Sequence, residues 1–234
     1  MVYGILSPTN ILFAPQVAAA YDPVMIEHTL PSTGWRGSRE GWLEAGYRAL
    51  IESGVDAVKV MPLAKQLGLS RTSFYWFFED RQALLAALVD GWAARTTEPL
   101  IAATRQYAET QAEAMLNVIG CFLSPKIFDA GLEFAIRSWA LQDQDVARRV
   151  QSADAARLTE LKTMMENWGH EPAVADVRAR AVYLVQIGYI SMQSAEDLKT
   201  RLSRIPTYVE IYTGTHPELR EMARFTARFR EVEG

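Results

Sequence analysis

A chain of 234 residues, 49% hydrophobic and 22% charged, has enough apolar material for one large or two smaller cores. That balance excludes a disordered or collagen-like polypeptide. A formal net charge of −4 excludes a broadly basic surface, so any attraction for nucleic acid must be local.

Residues 1–34 contain Pro8, Pro15, Pro23 and Pro31, no Lys or Arg, and an apolar patch from Ile11 to Ala20. A signal peptide would place positive charge ahead of such a patch, and a membrane span would need nearly twice its length. We read 1–35 as an N-terminal extension, over-long or flexible, with Met25 as a more usual start; packing of Tyr3 to Phe13 on the body is the alternative. Arg36 and Arg39 follow where a short arm can reach a minor groove.

Ser38 is suited to cap a helix with Glu40 in its first turn and Trp42, Ala45, Gly46, Ala49 and Leu50 on one face, stopped at Gly54. Val60, Leu63, Ala64 and Leu67 then give a short amphipathic helix with Pro62 tolerated near its start. Gly68 follows the last apolar residue, where a left-handed conformation ends a helix. Ser70 caps a second short helix, predicted over about 71–78, with Phe74 and Phe78 on the packing side, Phe77 at the flank, Thr72 and Trp76 opposite, and Ser73 and Tyr75 bordering them. Two short helices joined by a Gly turn form a helix-turn-helix, whose second helix enters the major groove. Asp80 caps the next helix, from Arg81, with Leu84, Leu85, Leu88 and Trp92 as its face.

Beyond Trp92 the pattern is helical almost throughout. Pro99 marks a start or kink, and a run over 107–123 carries the single cysteine, Cys121, a buried small hydrophobe that fits a reducing cytoplasm. Phe128, Leu132, Ala135, Ile136 and Trp139 form the next apolar face, and a long helix over 145–168 ends at Gly169. The stretch 172–193 is apolar nearly all round between Ala181 and Met192, too short for a membrane and suited to a subunit interface. A helix is expected over about 196–204, a turn or helix from Pro206 to Tyr212, and a final basic helix over about 217–230. The fold class is therefore all-α.

The run LAKQLGLSRTSFYWFFEDRQALL resembles the DNA-binding signature of TetR-type transcriptional regulators, combining Leu63-Ala64, Gly68, Ser70, Phe74-Tyr75, Phe78, Arg81 and Leu84-Leu85. The resemblance implies an extension over 1–35, a helix-turn-helix DNA-binding domain over 36–96, and a helical effector-binding and dimerisation domain over 97–234. It implies a cytoplasmic homodimer, paired through helices near 172–193 and 206–230. Such a dimer binds near-palindromic operator DNA and is released from it, as a repressor, by a small molecule. By position it places Arg71, Thr72, Ser73, Tyr75 and Trp76 at the groove, with Arg81 and Tyr75 near phosphates, where guanidinium and hydroxyl donors are chemically apt. Phe77 stands where the family often has His, and Glu79 where a basic or neutral residue is common.

Charge supports this locally. Residues 36–95 carry eight Lys/Arg against seven Asp/Glu. Arg36, Arg39, Lys65, Arg71 and Arg81 are expected on one edge, with Glu44, Glu52 and Asp56 facing away. For the effector, the same resemblance points to Trp92, Phe122, Phe128, Phe134, Trp139, Met164, Met165 and Tyr183. Few charges interrupt the apolar faces, which favours an uncharged or aromatic molecule.

A helical protein-interaction module without DNA binding is motivated by the near-neutral domain and Glu79. An all-α enzyme has little support: His28, His170 and His216 are dispersed without metal-ligand spacing, and no phosphate loop or nucleophile elbow is present. No catalytic residues, metal or cofactor are expected, and no membrane partner.

Overall fold

The computed structural model describes residues 37–229, which fall within one compact unit, and every regular element among them is helical. The expectations for 1–35, and Arg36, lie outside the described residues.

The N-terminal elements follow their caps. Helix α1, Arg39–Ser53, begins where the Ser38 hydroxyl accepts from the Gly41 N–H and ends at Gly54, φ 77°. A single 3-10 turn, Val55–Ala57, leads to α2, Val60–Leu67. Gly68 closes α2 in the left-handed region, φ 66° and ψ 27°, where a side chain would be strained, and the Leu69 N–H reaches back to the Ala64 carbonyl at 2.9 Å. Helix α3 is shorter than its sequence suggests, Arg71–Phe74 instead of 71–78. After Phe74 the chain tightens, with both the Phe77 and Phe78 N–H groups turning back to the Phe74 carbonyl. This brings Phe78 into the core, stacked 5.4 Å from Phe74.

Helix α4, Arg81–Thr104, starts at Asp80, whose carboxylate accepts from the Ala83 N–H, and runs unbroken through Pro99. Pro99 has no N–H for the Arg95 carbonyl, and the Asp129 N–H takes that place at 3.3 Å. No new helix starts at Pro99, and the carbonyl that it leaves without a partner is satisfied by an outside donor. The chain continues through α5, Gln111–Leu123, α6, Ala130–Ala140, and α7, Gln144–Asn167. Then come α8, Pro172–Ser191, α9, Leu198–Thr213, and α10, Leu219–Ala227. The two segments expected on either side of Pro206 are one helix, because Ile205, Val209 and Tyr212 form a continuous buried face across it.

Two apolar cores result, and α4 belongs to both. Leu84, Leu88 and Trp92 pack with Trp42, Leu50, Leu63 and Phe74, a core completed by Leu132, Ile136 and Trp139 of α6 and Val146 and Val150 of α7. Leu100 and Ala103 join the second core, built on α5, the end of α7, α8, α9 and Phe225 of α10. α4 lies close against α1: a Cβ added to Gly91 would stand 1.9 Å from the Tyr47 hydroxyl oxygen, so glycine is needed there. Cys121 is buried in the second core, and burial pushes its thiol up to about 12. Its modification by a thiol reagent at pH 8 is expected to be about a thousandfold slower in folded than in urea-unfolded protein, following the thiolate fraction. Comparable rates in a spectrophotometric thiol assay would place Cys121 at the surface instead.

No helix among the described residues is long and apolar enough to cross a membrane, and no group of three His, Cys, Asp or Glu there could hold a metal ion.

Candidate nucleic-acid interface

The outward surface of the helix-turn-helix is set by what its inward side chains bury. Phe74 lies edge-on to Trp42 at 5.3 Å and is fully buried. Anchoring that side turns Arg71, Thr72, Tyr75 and Trp76 to solvent; Tyr75 is 46% and Trp76 61% exposed. Large aromatics left this exposed on so short a helix are unusual for a surface that meets only water. Arg71 and Tyr75 form a unit, the guanidinium donating to the phenol oxygen through Nη2 at 2.9 Å and Nε at 3.2 Å. The remaining Arg71 N–H groups and the Tyr75 hydroxyl proton stay available outward. Lys65, in the last turn of α2, is also exposed.

Two expected contacts have other tasks. Ser73 is only 7% exposed: its hydroxyl lies 3.0 Å from that of Ser70, and its N–H donates to the Ser70 oxygen at 3.2 Å. It serves the cap of α3. Arg81 is engaged within the protein, donating through Nε to the Val58 carbonyl at 2.5 Å and through Nη2 to the Val55 carbonyl at 2.7 Å. It ties the start of α4 to the turn before α2, and so fixes the helix-turn-helix on α4. Arg39 sits over the Phe78 ring at 5.2 Å. Glu44, expected to face away, pairs with Arg95 on α4.

The residues expected to line an effector pocket fall in both cores, and Trp92, Phe128 and Tyr183 meet at Arg157. Trp92 and Trp139 belong to the first core; Phe122, Phe128, Met164, Met165 and Tyr183 belong to the second; Phe134 is half-buried outside both. Between the cores lies a set of buried charges that the apolar pattern concealed. Arg157 and Glu133 are both fully buried, joined at 2.8 and 3.1 Å. Glu133 also accepts from the Trp92 indole N–H at 2.7 Å and from Arg137 at 2.8 Å. Arg157 donates to Thr96 at 2.8 Å, Thr97 at 3.0 Å and the Tyr183 hydroxyl at 2.9 Å, and Tyr183 donates to Asp154 at 2.6 Å. Burial pushes the Glu133 carboxyl up, but the Arg157 charge and hydrogen bonds outweigh it and the net direction is down. The cluster joins α4 to α6, α7 and α8. The few charges on the apolar faces are thus gathered into one buried cluster.

Residues 43–88 match the model of the family described as bacterial regulatory proteins, tetR family. Among solved structures, the chain is similar to Salmonella enterica GusR, at 15% identity over 75% of this chain and 93% of that one, with a TM-score of 0.57. It is similar to SmeT, the repressor of the Stenotrophomonas maltophilia multidrug efflux pump SmeDEF, at 17% identity over 79% and 93% of the two chains, TM-score 0.54. Mycobacterium smegmatis AmtR aligns at 16% identity over 85% and 96%, TM-score 0.53. At these identities the likeness establishes the fold. No curated protein sequence matches the chain.

Proposed function

We propose that this chain, a TetR-family transcriptional regulator by its DNA-binding domain, acts as a homodimeric repressor that leaves its operator when a small molecule binds the C-terminal domain. The observation that carries the reading is the outward set Arg71, Thr72, Tyr75 and Trp76, held on a helix-turn-helix whose other side is locked by Phe74 and Phe78. Arg71 reads a guanine edge or a phosphate, Tyr75 donates to a phosphate, Trp76 and Thr72 meet base methyls and sugars, and Lys65 meets the backbone.

A dimer is favoured by the apolar surface on the last long helices. Val174, Val177 and Leu184 of α8 are exposed at helical spacing, with Ala181 and Gly188 in the same register, and Ile211 of α9 is 62% exposed. Within 206–230, α10 uses its own apolar face on α5, where Phe225 packs against Gly120. α8 and α9 are therefore the pairing helices. Two copies of α3 must then sit about 34–36 Å apart to enter successive major grooves. The buried Glu133–Arg157 cluster holds α4 to α6, α7 and α8, so movement of those helices tilts α4 and changes that separation. Coupling of this kind is typically about 1–3 kcal/mol.

Titration of the protein with DNA from upstream of its own gene is expected to give sequence-selective binding that weakens steeply with salt. Absence of binding at low salt removes the reading. Arg71→Ala and Tyr75→Ala should each weaken operator binding by about 5- to 150-fold, the range for loss of a base or charged phosphate contact. Arg81→Met should lower the melting temperature with a smaller change in selectivity. Unchanged affinity for both α3 variants would move the interface elsewhere.

A further inference from the structure

Helices α5, α8 and α9 border a narrow cleft whose arginine has no bonded acceptor among the described residues. Ile119 and Leu123 of α5 and Ile205 of α9 make it apolar, while Gln186 and Tyr189 of α8 and Arg201 and Tyr208 of α9 face it. Among the described residues, the other arginines withdrawn from solvent all donate to oxygen. Arg81 reaches two carbonyls, Arg95 reaches Glu44, Arg137 and Arg157 reach Glu133, and Arg178 reaches the Ile211 carbonyl. The Arg201 guanidinium has no hydrogen bond or ion pair there and lies over the Tyr189 ring, 5.0 Å from its centroid.

Burial pulls the Arg201 pKa down, the direction of a charge that has lost water without gaining a bonded anion. The acidic groups it feels are the Tyr189 and Tyr208 phenols and the Glu196 carboxylate, which Arg204 holds through Oε1 at 2.6 Å while Oε2 is buried without a hydrogen-bond partner among the described residues. Gln186 is only 6% exposed, and its amide has no hydrogen-bond partner among the described residues. The Tyr189 and Tyr208 hydroxyls are 3.2 Å apart, so one donates to the other and one proton is left over. A guanidinium, an amide and a phenol thus converge beside aliphatic walls.

We propose that this cleft recognises an anion, and that the effector is a small molecule with a carboxylate head on an apolar body. The carboxylate sits on Arg201 and Gln186, and the body lies along Ile119, Leu123 and Ile205. The inference rests on the reading of the chain as an effector-released regulator, and it replaces the uncharged effector that the apolar pattern favoured. The open space is about 20 Å³, room for one water, so such a molecule spreads α8 from α9 as it enters. Those two helices carry the apolar surface assigned to the dimer, which connects the cleft to the spacing of the recognition helices.

The test uses octanoate and benzoate, with octanamide and benzamide as neutral counterparts, titrated calorimetrically into the full-length protein without DNA. Each carboxylate is expected to bind about ten- to a hundredfold more tightly than its amide, the range for a hydrogen bond to a charged group. Arg201→Gln should abolish that preference, and Arg201→Lys should retain part of it, both at unchanged circular dichroism. Equal binding of acid and amide, binding of neither, or a preference that survives Arg201→Gln overturns the inference. Dissociation of the dimer by Arg201→Gln, seen in sedimentation, overturns it too, since the guanidinium then serves the subunit contact. Operator release is measured separately. Arg201-dependent binding that leaves the DNA complex intact supports the site and removes the release mechanism. Release by neutral compounds alone, with no carboxylate binding, keeps that mechanism and removes the site.

Discussion

Replacing Arg157 by Met is expected to lower the stability of this protein by about 3–5 kcal/mol, the usual cost of removing one partner of a buried ion pair. For a chain of this size that corresponds to a fall of roughly 6–20 °C in melting temperature. The loss arises less from the missing attraction than from what is left behind. Glu133 is fully buried, and without Arg157 its carboxylate keeps only the Trp92 indole and the half-buried Arg137. Glu133→Leu combined with Arg157→Met removes both charges and should recover most of the stability, because matched apolar replacements of buried pairs are often neutral or better. Urea denaturation of the single and double variants checks this, and a double variant as unstable as the single one would show that the hydroxyl partners Thr96, Thr97 and Tyr183 dominate.

The pH dependence gives an independent check on the same pair. In the native protein the Glu133 pKa lies below its ordinary value of 4.5, so its stabilisation is present above that pH and is lost as pH falls through the depressed folded value. In Arg157→Met the buried carboxyl, short of its main partner, should have its pKa raised above the unfolded value. That variant therefore regains part of its stability on acidification, where the native protein loses some. Parallel pH profiles for the two proteins would refute the assignment of the destabilisation to a stranded Glu133.

What could be read from the sequence was mostly what is local. Ser38, Gly54, Gly68, Ser70 and Asp80 act within one helical turn, and each caps or closes an element as its chemistry dictates. The exceptions lie where a distant partner intervenes. Pro99 leaves α4 intact because Asp129 supplies a donor from 30 residues away, and α3 ends early because Phe78 must reach the core under Trp42 and Phe74. Ser73 and Arg81 look like DNA contacts by position and are diverted by the Ser70 hydroxyl and the Val55 and Val58 carbonyls.

The buried charges left one readable trace. Arg157 falls seven residues after Val150 and four before Leu161, on the stripe that α7 buries, so a charge stood at a core position. Its partner Glu133 is 24 residues away on another helix, which periodicity cannot supply. The cleft residues Gln186, Tyr189, Arg201 and Tyr208 come from two helices whose register is set only by packing. They carry no motif, and what marks them is an arginine left without a bonded acceptor in three dimensions.

Introducing Glu at both Val177 and Leu184 is expected to convert the protein from dimer to monomer with little effect on the fold. Both positions are exposed in the single chain, at 65% and 60%, so a carboxylate there meets water and the monomer keeps its folding stability to within about 0.5 kcal/mol per site. In an isologous contact each substitution appears twice, facing its counterpart near the two-fold axis, and like charges brought together cost several kcal/mol. About 4 kcal/mol weakens association roughly a thousandfold. Sedimentation should then report a species near 26.2 kDa instead of twice that. Operator binding should fall with it, because each monomer offers a single recognition helix from a domain with nearly balanced charge and little non-specific attraction. A dimer that survives both substitutions would place the subunit contact away from α8. A monomer that still protects the full two-fold operator at the native concentration would remove dimer spacing from the account of how this protein recognises DNA.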